Sequence, residues 1–218
     1  IFTVAEANGV TPADLPRWVG KDGAFSMLFE FSHTNLEFPD DEVWCRAETW
    51  PLTKLKKALS DSQQATAANG WYPIFFENHD QNRAMHRYFP EGTDPKVAAK
   101  ALATVLFTLR GTPFVYEGEE LGMTNTAFPK IEDYNDISTH GQYEYALKEG
   151  LSPEEALKAV QFQSRDNART PMQWTREANA GFSDGMPWLP VHKDFMNCCV
   201  EAESEDGTSV LSYYRRMN

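Results

Sequence analysis

Four short apolar runs alternate with helical stretches along the chain, and this alternation restricts the fold more than any other feature. The runs are Ile1 to Ala5, Phe25 to Phe31, Pro73 to Phe76 and Phe114 to Tyr116. A helix start is expected after the first, where the turn Asn8-Gly9 leads to Thr11-Pro12. Pro51 to Ala68 reads as a helix with Leu52, Leu55, Ala58 and Leu59 on one face. Pro95 to Leu109 reads as a second, apolar on most faces and therefore buried. Pro153 to Phe162 reads as a third, with Ser152 as cap and Glu155 in capping-box position, and Ser209 to Met217 as a last. Gly118 to about Val191 is otherwise irregular. Strand and helix in alternation are the signature of a parallel sheet or a βα-barrel. Ionisable and polar residues gather just after the runs: Glu6, Asn8, Asn78, His79, Asp80, Glu117 and Glu119. Strand C-terminal ends are where βα-barrels build their sites.

The length sets a difficulty for the barrel. The chain has 218 residues, whereas a complete (β/α)₈ barrel usually takes about 250 or more. It opens Ile1-Phe2-Thr3-Val4, inside an apolar run and without Met, so we expect a chain cut from something longer, with no signal peptide. No internal repeat or Gly/Ser-rich linker divides it, and residues 1–218 are expected to form one partial domain. The net charge of -12 argues against nucleic acid, which needs clustered Lys and Arg. It argues equally against an anionic membrane surface. No apolar stretch approaches a membrane-spanning length. Cys45, Cys198 and Cys199 are odd in number and include an adjacent pair. They form neither a disulfide framework nor a metal finger, so free thiols in a reducing, cytoplasmic compartment are expected.

Each candidate for chemistry has two readings when taken alone. Glu6 closes a strand, where partial burial would raise the pKa of a general acid; a solvated strand-end Glu looks the same. Asn78-His79-Asp80 can bind vicinal hydroxyls and stabilise an oxocarbenium-like transition state, or it can be an Asx turn with a satisfied His. Arg165 to Thr170 can supply a guanidinium to a sugar site or stitch loops by ion pairs. Trp71, Trp174, Phe182 and Trp188 can stack on sugar rings or simply pack. A metal site through Glu6, His79 and Asp80 lacks any ligand spacing, and the five histidines are scattered. No Gly-x-Ser-x-Gly elbow is present, and Gly118 to Gly122 lacks the Lys of a phosphate loop.

Together these segments resemble the α-amylase superfamily, family 13 of the glycoside hydrolases, and within it the oligo-1,6-glucosidase and α-glucosidase group. VAEANGV (Val4 to Val10) resembles the family's fifth-strand motif, and FFENHDQNR (Phe75 to Arg83) its seventh. GTPFVYEGEELGMTN (Gly111 to Asn125) resembles the eighth strand and its loop. RDNARTPMQW (Arg165 to Trp174) is the most specific block, marking exo-acting glucosidases. The resemblance implies strands five to eight of a (β/α)₈ barrel. It implies Glu6 as general acid/base and Asp80 as the transition-state stabiliser gripping the terminal sugar. His79 would bind the same sugar, and Arg165 would close the pocket by pairing with an Asp outside this chain. Asn8 would line the leaving-group subsite.

By the same resemblance the nucleophilic Asp belongs to a fourth strand and the C-terminal β-sandwich is missing, so the chain alone would be inactive. An oligosaccharide substrate is implied, with no cofactor and no metal. Sequence departures are Asn82 where Pro is usual, Glu117 where Gln is usual, and Ala5 for a common Gly. Two other activities share most motifs, sucrose isomerisation and hydrolysis of phosphorylated trehalose. A non-catalytic scaffold related to transporter heavy chains is a third possibility, but Glu6 and Asp80 are retained here. An isolated half-barrel would expose its first strand and self-associate.

Overall fold

The computed structural model describes residues 1–38, 42–68 and 70–218. The chain divides into two compact units, Ile1–Phe75 with Thr108–Phe114, and Phe76–Phe107 with Val115–Asn218. No helix among the described residues is long and apolar enough to cross a membrane.

The first unit holds the strands. β1 (Val4–Glu6) pairs in parallel with β2 (Met27–Phe29), placing Glu6 opposite Phe29. β3 (Pro73–Ile74) pairs in parallel with β4 (Thr112–Pro113). Between the pairs, Phe29 meets Phe75 and Phe114 edge-on at centroid distances of 5.1 and 4.7 Å. Helices α1 (Leu15–Trp18) and α2 (Leu52–Thr66) follow β1 and β2. Leu15, Val19 and Leu28 form a buried cluster against Ala5, Val10 and Ala65; each such aliphatic burial contributes about 2 kcal/mol.

Three expectations are corrected. The fourth strand is Thr112–Pro113, ahead of the Phe114 to Tyr116 run. Proline is tolerated because Thr112 N donates to Tyr72 O (2.9 Å) and Phe114 N to Ile74 O (2.7 Å), so no ladder bond requires an N–H at Pro113. Gly111 precedes it at φ +154, and a Cβ there would collide with the Tyr72 carbonyl oxygen. The helix expected from Pro12 begins only at Leu15, after a turn in which Thr11 Oγ1 donates to Asp14 Oδ2 at 2.8 Å. The irregular stretch contains a further helix, α5 below.

A buried carboxylate ties this unit together. Glu30, just past β2, accepts hydrogen bonds from Ser62 Oγ (2.7 Å) and Tyr72 OH (2.6 Å), on α2 and beside β3. Burial works to raise its pKa, but the facing His33 and three hydrogen bonds outweigh that and lower it. Trp71 remains exposed, with its Nε1 donating to Thr112 Oγ1 and the Arg110 guanidinium 4.7 Å over its ring.

The second unit is helical. It contains α3 (Ala84–Tyr88) and nearly all of α4 (Pro95–Thr108). Neighbouring helices α5 (Ile137–Lys148) and α6 (Pro153–Gln163) follow, then α7 (Val200–Glu205) and α8 (Val210–Met217). The capping box at Ser152 and Glu155 forms as the sequence suggests. Leu121, Met123, Met172 and Leu211 make this unit's apolar cluster. The three cysteines are unpaired thiols.

Candidate active site

The Asp80 turn is closed at its base by Glu77. That buried carboxylate accepts from the Arg83 guanidinium and from the Ala84 backbone N–H, both at 2.8 Å. Arg83 also donates to the Glu117 carbonyl (2.9 Å) and lies over the Tyr116 ring. Inside the closed turn, Asp80 N donates to Asn78 Oδ1 at 2.8 Å. The Asx turn considered from sequence therefore exists.

Two guanidinium groups converge on that carboxylate. Asp80 Oδ1 accepts from Arg169 Nη2 at 2.6 Å and from Arg165 Nη1 at 3.3 Å. His79 Nε2 stands 3.1 Å from Asp80 Oδ2, and Arg169 Nε donates to the His79 carbonyl at 2.8 Å. The His79 and Asp80 side chains are 62% and 37% exposed. An incoming polyol can therefore reach both a carboxylate held by two cations and the imidazole beside it.

Arg165 is anchored from behind. Its Nε donates to Asp136 Oδ1 at 3.0 Å, and its Nη2 reaches the same oxygen. Asp136 also caps α5, accepting from Ser138 N and Thr139 Oγ1. Burial works to raise the Asp136 pKa, but the Arg165, Ser138 and Thr139 hydrogen bonds win and lower it. The Arg165 pKa is raised, chiefly by its bond to Asp136. Two partners inside this chain thus engage the arginine for which an outside Asp was expected.

Glu6 and Asn8 belong to the first unit. Glu6 ends β1, and the next residue continues the ladder, Ala7 N donating to Phe29 O at 3.2 Å. Asn8 and Gly9 form the following turn, with Gly9 at φ +83. Of the two readings of Glu6, the structure gives the exposed strand-end residue; among the described residues β1 has a strand neighbour on one edge only.

Two participants, Arg169 and Asp136, escaped the sequence reading. Arg169 lies in the quoted RDNART block, but nothing in the block distinguishes it from Arg165. Asp136 precedes Ile137-Ser138-Thr139 as an ordinary N-cap, a signal lost in a stretch read as irregular. Glu119, 4% exposed, accepts from Tyr116 N (3.2 Å) and Tyr214 OH (3.1 Å). Burial first, and then the Glu77 charge, push its carboxyl up to about 8. Among the described residues no group of three or more His, Cys, Asp or Glu side chains is placed to hold a metal ion.

Comparison with known proteins places these residues in context. The family described as alpha amylase, catalytic domain, matches residues 1–218. A probable oligo-1,6-glucosidase of Bacillus subtilis (strain 168) is 42% identical over 218 residues, covering 100% of this chain and 38% of the relative. A trehalose-6-phosphate hydrolase of the same organism is 37% identical, covering 99% of this chain and 39% of the relative. The solved isomaltulose synthase from Erwinia rhapontici NX5 superposes with a TM-score of 0.91 at 35% identity, covering 100% of this chain and 39% of that one. The chain thus spans about two fifths of the length of the relatives it matches.

Proposed function

Because this chain belongs to the α-amylase catalytic-domain family, we propose that it forms strands five to eight of the barrel of an exo-acting, retaining α-glucosidase of the oligo-1,6-glucosidase type. Both compact units are then parts of one catalytic domain. The observation that carries the reading is the half-exposed Asp80 carboxylate held by Arg165 and Arg169 beside His79. A carboxylate so fixed can grip two hydroxyls of a terminal sugar and stabilise positive charge as the glycosidic bond breaks. The identity to an oligo-1,6-glucosidase supports the same choice.

In this mechanism Glu6 protonates the leaving-group oxygen and then, as carboxylate, takes a proton from the water that releases the sugar. Asp80 and His79 hold the sugar, Arg165 closes the pocket through Asp136, and Asn8 contacts the leaving group. Retention needs a second carboxylate about 5–5.5 Å from the acid/base across the scissile bond. That nucleophile is assigned to a part of the enzyme beyond these 218 residues, so the chain alone is inactive. The substrate is a short, neutral α-glucoside, which a net charge of -12 tolerates better than a phosphorylated sugar. The three unpaired thiols support a cytoplasmic setting.

In the full-length enzyme, Glu6→Gln should reduce turnover of α-glucosides about 10²–10⁴-fold, with the α-anomer released by the wild type. A near-wild-type rate in the variant, or a β-anomer product, would sink the reading. Sucrose isomerisation is the second reading, favoured by the superposition on an isomaltulose synthase. Product analysis on sucrose separates the two: an isomer favours the second, glucose and fructose the first.

A further inference from the structure

The carbonyl of Phe162 gathers three side-chain amides. It lies in the last turn of α6, where helix carbonyls lack helical partners and the dipole is negative. Asn82 Nδ2 and Asn125 Nδ2 each donate to it at 3.0 Å, and Asn167 Nδ2 approaches at 3.4 Å while donating to Gln161 O at 3.0 Å. The three asparagines come from the Asp80 turn, the loop beyond β4 and the Arg165 segment.

The far end of each amide is also fixed. Asn82 Oδ1 accepts from Arg87 Nε (3.0 Å) and Nη2 (2.6 Å), and Asn125 Oδ1 accepts from Arg83 N (2.9 Å). Asn167 Oδ1 accepts from Thr126 N at 2.9 Å. Each oxygen faces a donor and each nitrogen a carbonyl, so the amide orientations are determined. Asn82 is 2% exposed and Asn167 fully buried, where an unmatched amide would be costly.

The placement of this knot is informative. Asn82 stands two residues after Asp80, and Phe162 three residues before Arg165. The Asn82–Phe162 bond therefore links the two segments whose side chains meet at 3.3 Å. By the family resemblance, Asn82 stands where a proline is expected. A proline stiffens a turn through its fixed φ; this asparagine stiffens it through hydrogen bonds.

We propose that Asn82, seconded by Asn125, is a positioning residue that sets the Asp80–Arg165 geometry by holding the Asp80 turn to the end of α6. The inference rests on the reading that Asp80 and Arg165 form a sugar site. Asn82→Asp is the diagnostic change in the full-length enzyme. It keeps the oxygen that Arg87 needs and turns the donor facing Phe162 O into an acceptor. Asn125→Asp does the same without touching Arg87.

Each variant should lower kcat for an aryl α-glucoside about ten- to a hundred-fold at temperatures where it is still folded, the scale of loss that a small misplacement of a binding group produces. In an Arg165→Lys background the further loss from Asn82→Asp should be much smaller, because both act on one geometry; a purely structural role would give additive losses and overturn the proposal. Variants within about twofold of wild type also overturn it. If Asn82→Asp does not fold, Asn125→Asp decides by the same criteria, and failure of both to fold makes the amides structural and ends the proposal. Asp80→Asn keeps the two levels apart. A wild-type rate in that variant would remove the sugar-site reading itself, whereas its inactivity beside active Asn82→Asp and Asn125→Asp would remove only this inference.

Discussion

Glu77 and Glu119 share a single buried cation, Arg83, and Glu77 holds it directly at 2.8 Å. Glu119 is left to Tyr116 N–H and Tyr214 OH, and its carboxyl is pushed up to about 8 by burial and by the Glu77 charge. The consequence for stability has a definite sign. An acid whose folded pKa lies above its unfolded value binds more protons when folded, so stability falls as pH rises between the two values. For Glu119 that window runs from the ordinary 4.5 to about 8. His86 and His192, whose pKa values are lowered by burial, act in the opposite sense over its lower part. Comparison with Glu119→Gln isolates the carboxyl. The wild type should lose denaturant stability from pH 6 to pH 8.5 relative to the variant; parallel curves would show that Glu119 does not hold its proton.

At the scale of elements, side chains cap the starts of α5, α6 and α8, whereas α1, α2 and α3 carry no side-chain cap. Ser209 caps α8, accepting from Ser212 N at 3.0 Å and donating to the Glu203 carbonyl at 2.7 Å. It is fully buried, so water cannot replace either partner. Ser209→Ala should cost about 1–2 kcal/mol of stability, read as a lower urea midpoint at unchanged slope. A midpoint like wild type would mean that the α8 cap contributes little. The same logic explains why α6 was foreseen and α5 was not. Ser152 and Glu155 form a reciprocal motif visible as letters, whereas Asp136 caps α5 with a carboxylate shared with Arg165, a partner 29 residues away.

At the scale of the molecule, the first unit presents an unfinished sheet. Ile1, Phe2, Val4 and Trp18 are exposed, and β1 is hydrogen-bonded to β2 on one edge only among the described strands. An open edge flanked by apolar side chains recruits further strands. The isolated 218-residue chain should therefore self-associate, seen by light scattering as species heavier than 24.7 kDa. A monodisperse 24.7 kDa particle would refute this. Joined to the remaining barrel strands of the proposed enzyme, the same edge would be paired and the association lost.

The sequence by itself determined what is local. Apolar runs of strand length located β1 to β3 within a few residues, the Ser152 and Glu155 letters located α6, and the motifs around Glu6, Asp80 and Arg165, taken in order, carried the family resemblance. All of these depend on neighbours along the chain, whose chemistry is written in order. Only the tertiary structure decided which arginines meet Asp80, since its partners lie 85 and 89 residues away. It also decided that Glu6 is exposed while Glu119, an equally acidic letter, is buried with a raised pKa. The role of Asn82 was visible only as a departure until its amide was seen between Arg87 and Phe162 O. Burial and long-range hydrogen bonding are properties of packing, and packing is settled by all the side chains together.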